Sequence, residues 1–298
     1  MLKTPPKTIG ITLKPGSKEA VYACMELLRW VLKNLKSFNV TNALIYDFNF
    51  ENSGLVLPFG NKCDEVQIKR SDIIIVFGGD GTLLSTVRLI DGMSVPILGV
   101  NSGSLGFLTE TPLDSYMGML SRVLLGEFDV EYKSMVDCIK KVKGEEDMLG
   151  CALNDIVVAR GPYSKLITLD VCENGTFINK YRADGIIVAT PTGSTAYTLA
   201  SGGPIVYPYV NALIVTPICP HTLSNRALVV PDSMVLELRL TKDEEAYGDV
   251  YVALDGQEHT KITGQESILV SKSKKQVCLI KNPDINYFNI VRTKLKWG

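Results

Sequence analysis

The chain has 298 residues, 46% hydrophobic and 21% charged, which is material for one large domain or two ordinary ones. Lys and Arg total 31 against 32 Asp and Glu, a net charge of −1 that argues against a protein built to grip nucleic acid but leaves small anions open to backbone N–H groups. Seven cysteines (positions 24, 63, 138, 151, 172, 219 and 278) form no CxxC pair. With only His221 and His259 beside them they suit neither a disulfide scaffold nor a zinc ribbon, and they read as small core hydrophobes of an intracellular protein.

No apolar run approaches the roughly 20 residues of a membrane span. Met1–Lys7, with Pro5 and Pro6, lacks the apolar stretch of a secretory signal, so a cytoplasmic location without membrane association is expected. Ile9–Leu13 is a short β-branched run, and apolar residues at 21, 24, 25, 28, 31, 32 and 35 mark a helix over Ala20–Leu35. Ala43–Phe48 is again strand-like. Asp72–Phe77 is a nearly pure apolar run, the mark of a parallel strand covered on both faces; a helical pattern resumes over Leu83–Ile90, and Pro96–Val100 is the next buried strand. Strands with Gly-rich exits predict an open α/β sheet with ligands at the strands' carboxyl ends.

From about Glu127 the texture becomes β-rich. Short runs follow at Val136–Val142, Cys151–Val158, Leu166–Val171, Gly185–Ala189, Ala212–Val215, Val235–Leu240, Val250–Leu254 and Ser267–Val270. Ser271-Lys272-Ser273-Lys274-Lys275 reads as a solvated turn between strands. His221 reads as a loop residue bonding backbone, and His259, after Asp255-Gly256-Gln257-Glu258, as part of a hairpin tip without chemistry.

Four segments carry chemistry. Gly78-Gly79-Asp80-Gly81-Thr82 leaves the apolar strand and opens a helix, where glycines let backbone approach a ligand and free N–H groups suit phosphate. Asp80 would repel an anion; it suits a proton acceptor for an attacking hydroxyl or a cation ligand, or else it is a helix N-cap. Asn101-Ser102-Gly103-Ser104-Leu105-Gly106-Phe107-Leu108 leaves the next strand. Leu153-Asn154-Asp155-Ile156 suits a ribose diol, or is an Asx-turn. Ala183 to Tyr197 runs a buried strand into the loop Thr190-Pro191-Thr192-Gly193-Ser194-Thr195, whose hydroxyls and N–H groups suit an adenine edge or a phosphate; Tyr197 offers a ring face or packs in the core. There is no Walker A pattern.

Taken together, GGDGT, NSGSLGFL, LND, ADGIIVATPTGSTAY, Gly202–Ile205 (GGPI), Pro217–Ser224 (PICPHTLS) and the stretch Tyr287–Trp297 resemble the NAD kinase family over essentially the whole chain. GGDGT alone is shared with lipid kinases. The resemblance implies an N-terminal Rossmann-like parallel α/β domain (residues 1–126, joined by a returning tail, 283–298) and a C-terminal β-rich NAD-binding domain (127–282). It implies transfer of the γ-phosphate of ATP, with Mg²⁺, to the 2′-hydroxyl of the adenosine ribose of NAD, giving NADP. Asp80 corresponds to the proton-accepting aspartate, beside Gly81 and the phosphate-loop residues Gly78, Gly79 and Thr82. Asn154 and Asp155 correspond to the dinucleotide-binding pair, with Asp155 one methylene shorter than the commoner Glu. Arg182 and Asp184 correspond to a basic–acidic pair near the nucleotides, and Thr195, Ala196 and Tyr197 to the adenine-side loop. Ala200 stands where many relatives have Ser, and Lys165 and Gln257 fall at further binding positions. No metal ligand set is implied from protein alone, and the partners implied are nucleotides and further copies of the chain, as a dimer or tetramer. A lipid kinase sharing GGDGT and a non-catalytic nucleotide sensor remain alternatives.

Overall fold

The structure is a computed structural model that describes residues 4–47, 57–103, 105–241, 248–263 and 265–297. Phe48, the end of one expected strand, and Ser104, within the second loop, lie outside the described residues. The described chain forms two compact units: residues up to Tyr132 with those from Val277 onward, and Lys133–Gln276.

In the first unit, strands and helices alternate: β1 (Thr8–Leu13), α1 (Lys18–Lys33), β2 (Asn42–Asp47), β3 (Asn61–Lys62), α2 (Glu65–Ile68), β4 (Ile73–Gly78), α3 (Asp80–Ile90), β5 (Ile97–Asn101), β6 (Thr111–Pro112) and α4 (Tyr116–Leu124). Ser17 starts α1 by accepting the Ala20 N–H, and Ala20, Ala23, Cys24, Leu27, Leu28 and Val31 then recur every three or four residues on its buried face. The strands run parallel in the order β3-β2-β1-β4-β5, a doubly wound α/β arrangement. Every residue of β4 is buried, as its unbroken apolar run requires. The Asp72 carboxylate accepts the Lys7 and Thr8 N–H groups, both at 2.8 Å, and fixes where β1 begins. The helix that the GGDGT turn is expected to open begins at Asp80, with Gly79 in the extended N-cap conformation.

The remaining elements are β7 (Val130–Val142), β8 (Glu145–Ala152), β9 (Asp155–Arg160), β10 (Ile167–Glu173), β11 (Thr176–Ala183), β12 (Gly185–Ala189), a 3₁₀ turn (Thr192–Thr195), α5 (Tyr197–Ala200), β13 (Ala212–Ile218), β14 (Leu228–Pro231), β15 (Leu236–Leu240), β16 (Val250–Leu254), β17 (Glu258–Ile262), β18 (Ser267–Ile280) and α6 (Tyr287–Leu295). At the end of β18, Leu279 pairs with Ile97 in the first unit, which α6 also belongs to.

The second unit is all β. Its six-stranded antiparallel sheet has the order β14-β13-β12-β9-β16-β17; strands β11, β10, β15 and β18 and the hairpin β7–β8 form the other. Ile156, Val158, Ile186, Val188 and Val252 from the first sheet share a core with Val136, Leu169 and Leu238 from the second. Val157, Ile187, Ala189 and Ile214 fill a further cluster with Val206, so β12 is buried on both faces and reads as a solid apolar run.

Three expectations are corrected. Ser271–Lys275 is not a turn: it lies inside β18, where Lys272 and Lys274 are exposed and Ser273 is buried, an alternation that suits a strand. The run Cys151–Val158 is broken into β8 and β9 at Leu153-Asn154, whose N–H groups turn to a side chain rather than to a neighbouring strand. Of the cysteines, 24, 138, 172 and 278 are buried and 63 and 151 half-buried, but Cys219 is exposed, with φ of 46°. Among the described residues, no helix is long and apolar enough to cross a membrane.

Candidate functional site

Each unit carries a loop cluster built the same way: one carboxylate under three successive backbone N–H groups. In the first unit the carboxylate is Asp80. Gly78 ends β4 opposite Asn101, the last residue of β5, so both Gly-rich loops leave the carboxyl edge of the sheet side by side. The Ser102 N–H donates to the Gly78 carbonyl at 3.2 Å, joining them. Asp80 does not cap its own helix, for Gly79 holds the N-cap position without a side-chain bond. Its carboxylate turns instead to the second loop. Oδ2 accepts the Phe107 N–H at 2.9 Å; Oδ1 accepts the N–H groups of Leu108 and Thr109, both at 3.0 Å, and the Thr109 hydroxyl at 3.1 Å.

The glycines divide into two kinds. A Cβ on Gly106 would stand 2.1 Å from Asp80 Oδ1, and one on Gly78 would stand 2.3 Å from Thr82 Oγ1, so internal packing demands both. At Gly79 and Gly81 a Cβ would meet nothing within 4 Å, so the fold itself makes no steric demand for glycine there. Open space at the first turn of a helix of 11 residues is a cradle that an anion can approach closely. Thr82, by contrast, is buried.

In the second unit the carboxylate is Asp255, at the expected hairpin tip but with a role that the sequence alone does not assign it. It accepts the Leu153 N–H at 2.9 Å on Oδ2, and those of Asn154 at 2.7 Å and Asp155 at 3.1 Å on Oδ1. Its own N–H returns to the Asp155 carbonyl at 3.0 Å. Asp255 and Gly256 have φ of 49° and 64° at the tip of the hairpin β16–β17, and the Gln257 N–H closes the turn on the Leu254 carbonyl. The signal was an Asp-Gly pair between two β runs. Gln257 is half-buried in this turn, and His259 already lies in β17, opposite Ala253.

The same Leu153–Asp155 segment is held from the Thr190 side. Thr190 Oγ1 donates to the Leu153 carbonyl at 2.6 Å and its N–H to the Asn154 carbonyl at 2.9 Å. A Cβ on Gly193 would sit 2.1 Å from that Asn154 carbonyl oxygen, so the loop after β12 lies directly on the Asn154 backbone. Ser194 is structural: its Oγ bonds the Pro191 carbonyl at 2.6 Å and accepts the Val206 N–H at 3.1 Å. Thr195 bonds the Thr192 carbonyl, and Ala196 is the half-buried link into α5, which ends at the exposed Ala200. Tyr197 is 46% exposed and is no core residue. Its phenol is pushed up from the ordinary tyrosine range by partial burial, then by Cys219, Asp184 and Asp155.

Asp184 is half-buried and pairs with Arg160, Nε to Oδ1 at 2.5 Å; Arg182 is exposed, lies in β11 opposite Thr168, and its carbonyl accepts the His221 N–H. Arg160 also donates to the Ser164 carbonyl at 2.9 Å, which places the neighbouring Lys165 at the surface. Arg160 was missed because it closes a strand outside every motif.

Asp155 itself is only 4% exposed, and its carboxyl is pushed up to about 7, first by burial and then by the Asp255 charge. From about pH 4 to 7 the unfolded chain has released this proton while the folded one keeps it, so rising pH removes stability across that window and the loss levels off above it. The total is on the order of 4 kcal/mol. Asp155→Asn, which cannot ionise, is expected to raise the melting temperature more at pH 8 than at pH 5; equal shifts at both would refute the assignment.

Comparison with known proteins follows the same segments. The family model described as ATP-NAD kinase N-terminal domain matches residues 9–128, and that described as ATP-NAD kinase C-terminal domain matches residues 153–282. A protein of Geotalea daltonii named NAD kinase is 36% identical over 292 residues, covering 98% of this chain and 99% of the other. One of Geobacter sulfurreducens with the same name is 42% identical over 228 residues, covering 76% and 79%. Among solved structures, yeast NADH kinase complexed with NADH superposes with a TM-score of 0.85 at 26% identity, covering 99% of this chain and 89% of that one. An NAD kinase from Archaeoglobus fulgidus in complex with ATP gives 0.74 at 26% identity, covering 97% and 98%.

Proposed function

Because the chain belongs to the ATP-NAD kinase family, we propose that it moves the γ-phosphoryl group of ATP onto the 2′-hydroxyl of the adenosine ribose of NAD, with Asp80 as the proton acceptor. The observation that carries this reading is the Asp80 carboxylate, fixed by three N–H groups at the start of α3 beside two glycines with open space at Cβ.

A sugar hydroxyl is a poor nucleophile at neutral pH. As its oxygen bonds to phosphorus, its proton passes to Asp80 and the bond from phosphorus to the bridging oxygen of ADP breaks. A carboxylate offers about four lone-pair positions. Oδ1 already accepts three bonds and Oδ2 one, so Oδ2 is the oxygen with room for the ribose hydroxyl. N–H groups at the open first turn of α3, around Gly79 and Gly81, would receive phosphoryl oxygens in a transition state that spreads charge over them.

Asn154 and Asp155 hold dinucleotide hydroxyls in this reading. Asp155, titrating near neutrality, can donate or accept, and the Asn154 amide does both. Tyr197 offers its exposed face to an adenine ring, with Thr195 and Ala196 as the loop edge beside it. Asp184 is held by Arg160; Lys165, Arg182, Ala200 and Gln257 stay as peripheral contacts. A magnesium ion would polarise the phosphoryl oxygens. In this reading its ligands come mainly from ATP. Domains, cytoplasmic location and a homo-oligomer of two or four copies complete the reading.

The test is product analysis. Incubated with ATP, Mg²⁺ and NAD, the protein is expected to form NADP; with diacylglycerol in place of NAD it is expected to form no phosphatidate. Phosphatidate without NADP would transfer it to the lipid kinases, and tight NAD binding without product would make it a sensor.

A further inference from the structure

Thr109 is 0% exposed, yet its hydroxyl stands in the middle of a buried polar chain. Asn101 Nδ2 donates to Thr109 Oγ1 at 3.0 Å, and Thr109 Oγ1 donates to Asp80 Oδ1 at 3.1 Å. The direction is fixed from outside. Asn101 Oδ1 accepts the Gly103 N–H at 2.7 Å, so the amide nitrogen is the end that faces Thr109. A hydroxyl carries one proton; with the Asn101 amide donating to the oxygen, that proton is free for the carboxylate.

The hydroxyl is not needed to hold the loop. The Thr109 N–H already bonds Asp80 Oδ1, and the N–H groups of Leu108 and Phe107 add two more bonds. What it adds is a stronger asymmetry: the N–H groups alone favour Oδ1 by two bonds to one. With it, Oδ1 accepts three donors and Oδ2 only one. The space for this meeting comes from Gly106, where a Cβ would stand 2.1 Å from Asp80 Oδ1 and 2.3 Å from Thr109 Oγ1.

We propose that Thr109 is a positioning residue for phosphoryl transfer: its hydroxyl, oriented by Asn101, anchors Oδ1 of Asp80 so that Oδ2 is the oxygen presented to the sugar hydroxyl. The proposal rests on Asp80 being the proton acceptor. A carboxylate held by the three N–H groups alone is anchored less firmly and would spend less time in the reactive orientation, and such misplacement lowers turnover rather than affinity.

Two pairs of residues that differ mainly in the hydroxyl provide the test. Thr109→Val is expected to lower kcat about tenfold, one hydrogen bond to a charged group, while KM for NAD and for ATP stays within about twofold. Thr109→Ser is expected to keep kcat within about threefold of the parent, and Thr109→Ala to fall to about the level of the valine variant. Should the valine variant refold poorly, the serine–alanine pair alone carries the comparison. Equal kcat for Ser and Ala, or a rise in KM at constant kcat, overturns the proposal and makes Thr109 a packing residue. Asp80→Asn run alongside separates the two levels. If it is inactive while Thr109→Val turns over normally, only Thr109 loses its role. If it keeps parental turnover, the reading of Asp80 falls and takes the proposal with it.

Discussion

Asp80→Asn is expected to bind NAD and lose turnover by about 10²–10⁴-fold, the usual worth of a positioned general base. The substitution keeps size, and its amide oxygen can still accept N–H bonds from Leu108 and Thr109 where Oδ1 now does. At the other position an NH₂ group would face the Phe107 N–H, donor against donor, so the loop is expected to shift a little. Binding and chemistry must therefore be read separately, by calorimetric titration with NAD and by steady-state kcat. A parental kcat would remove Asp80 from the chemistry and leave it as a loop anchor. Lost NAD binding with lost turnover would mean that the anchor is its main contribution.

Asp255→Ala carries the largest expected effect on stability. Three N–H groups lose a charged acceptor at once, and alanine inherits a backbone with φ of 49° that suits Asp, Asn or Gly better. Bonds to charged groups are worth about 1.5–3 kcal/mol each, and water can replace part of that at a half-exposed turn, so a loss of roughly 2–4 kcal/mol is expected in urea unfolding. Because the segment set free is Leu153–Asp155, KM for NAD should rise by at least tenfold, with Asp255→Asn falling between. Unchanged stability together with unchanged KM would show that Thr190 and Gly193 hold the segment unaided.

Much of this architecture was readable because its signals are local. The fully buried β4 and β12 are solid apolar runs, and GGDGT stands where a strand exit and a helix start coincide. The misreadings have one physical origin: partners distant in sequence. Nothing near Leu153 says that its N–H turns to a residue 102 positions away. The stretch 271–275 looks like solvated chain until β18 shows Ser271 and Ser273 on one face and Lys272 and Lys274 on the other. Asp80 is not the N-cap because Gly79 holds that position and its own carboxylate turns to the N–H groups of residues 107–109. Arg160, paired with Asp184 across 24 positions, bore no motif at all.

Loops read through their amides rather than their side chains follow a particular rule under mutation. The side chains of Phe107, Leu108 and Leu153 take no part in the bonds that fix their segments, whereas the two acids accept the three successive N–H groups of each loop. A randomised library should therefore accept many residue types at 107, apolar ones of similar size at the buried 108 and 153, proline at none of the three since it lacks the amide hydrogen, and almost nothing but the native acid at 80 and 255. Engineering the substrate range of this enzyme can begin in the loops, provided the two acids beneath them are left alone.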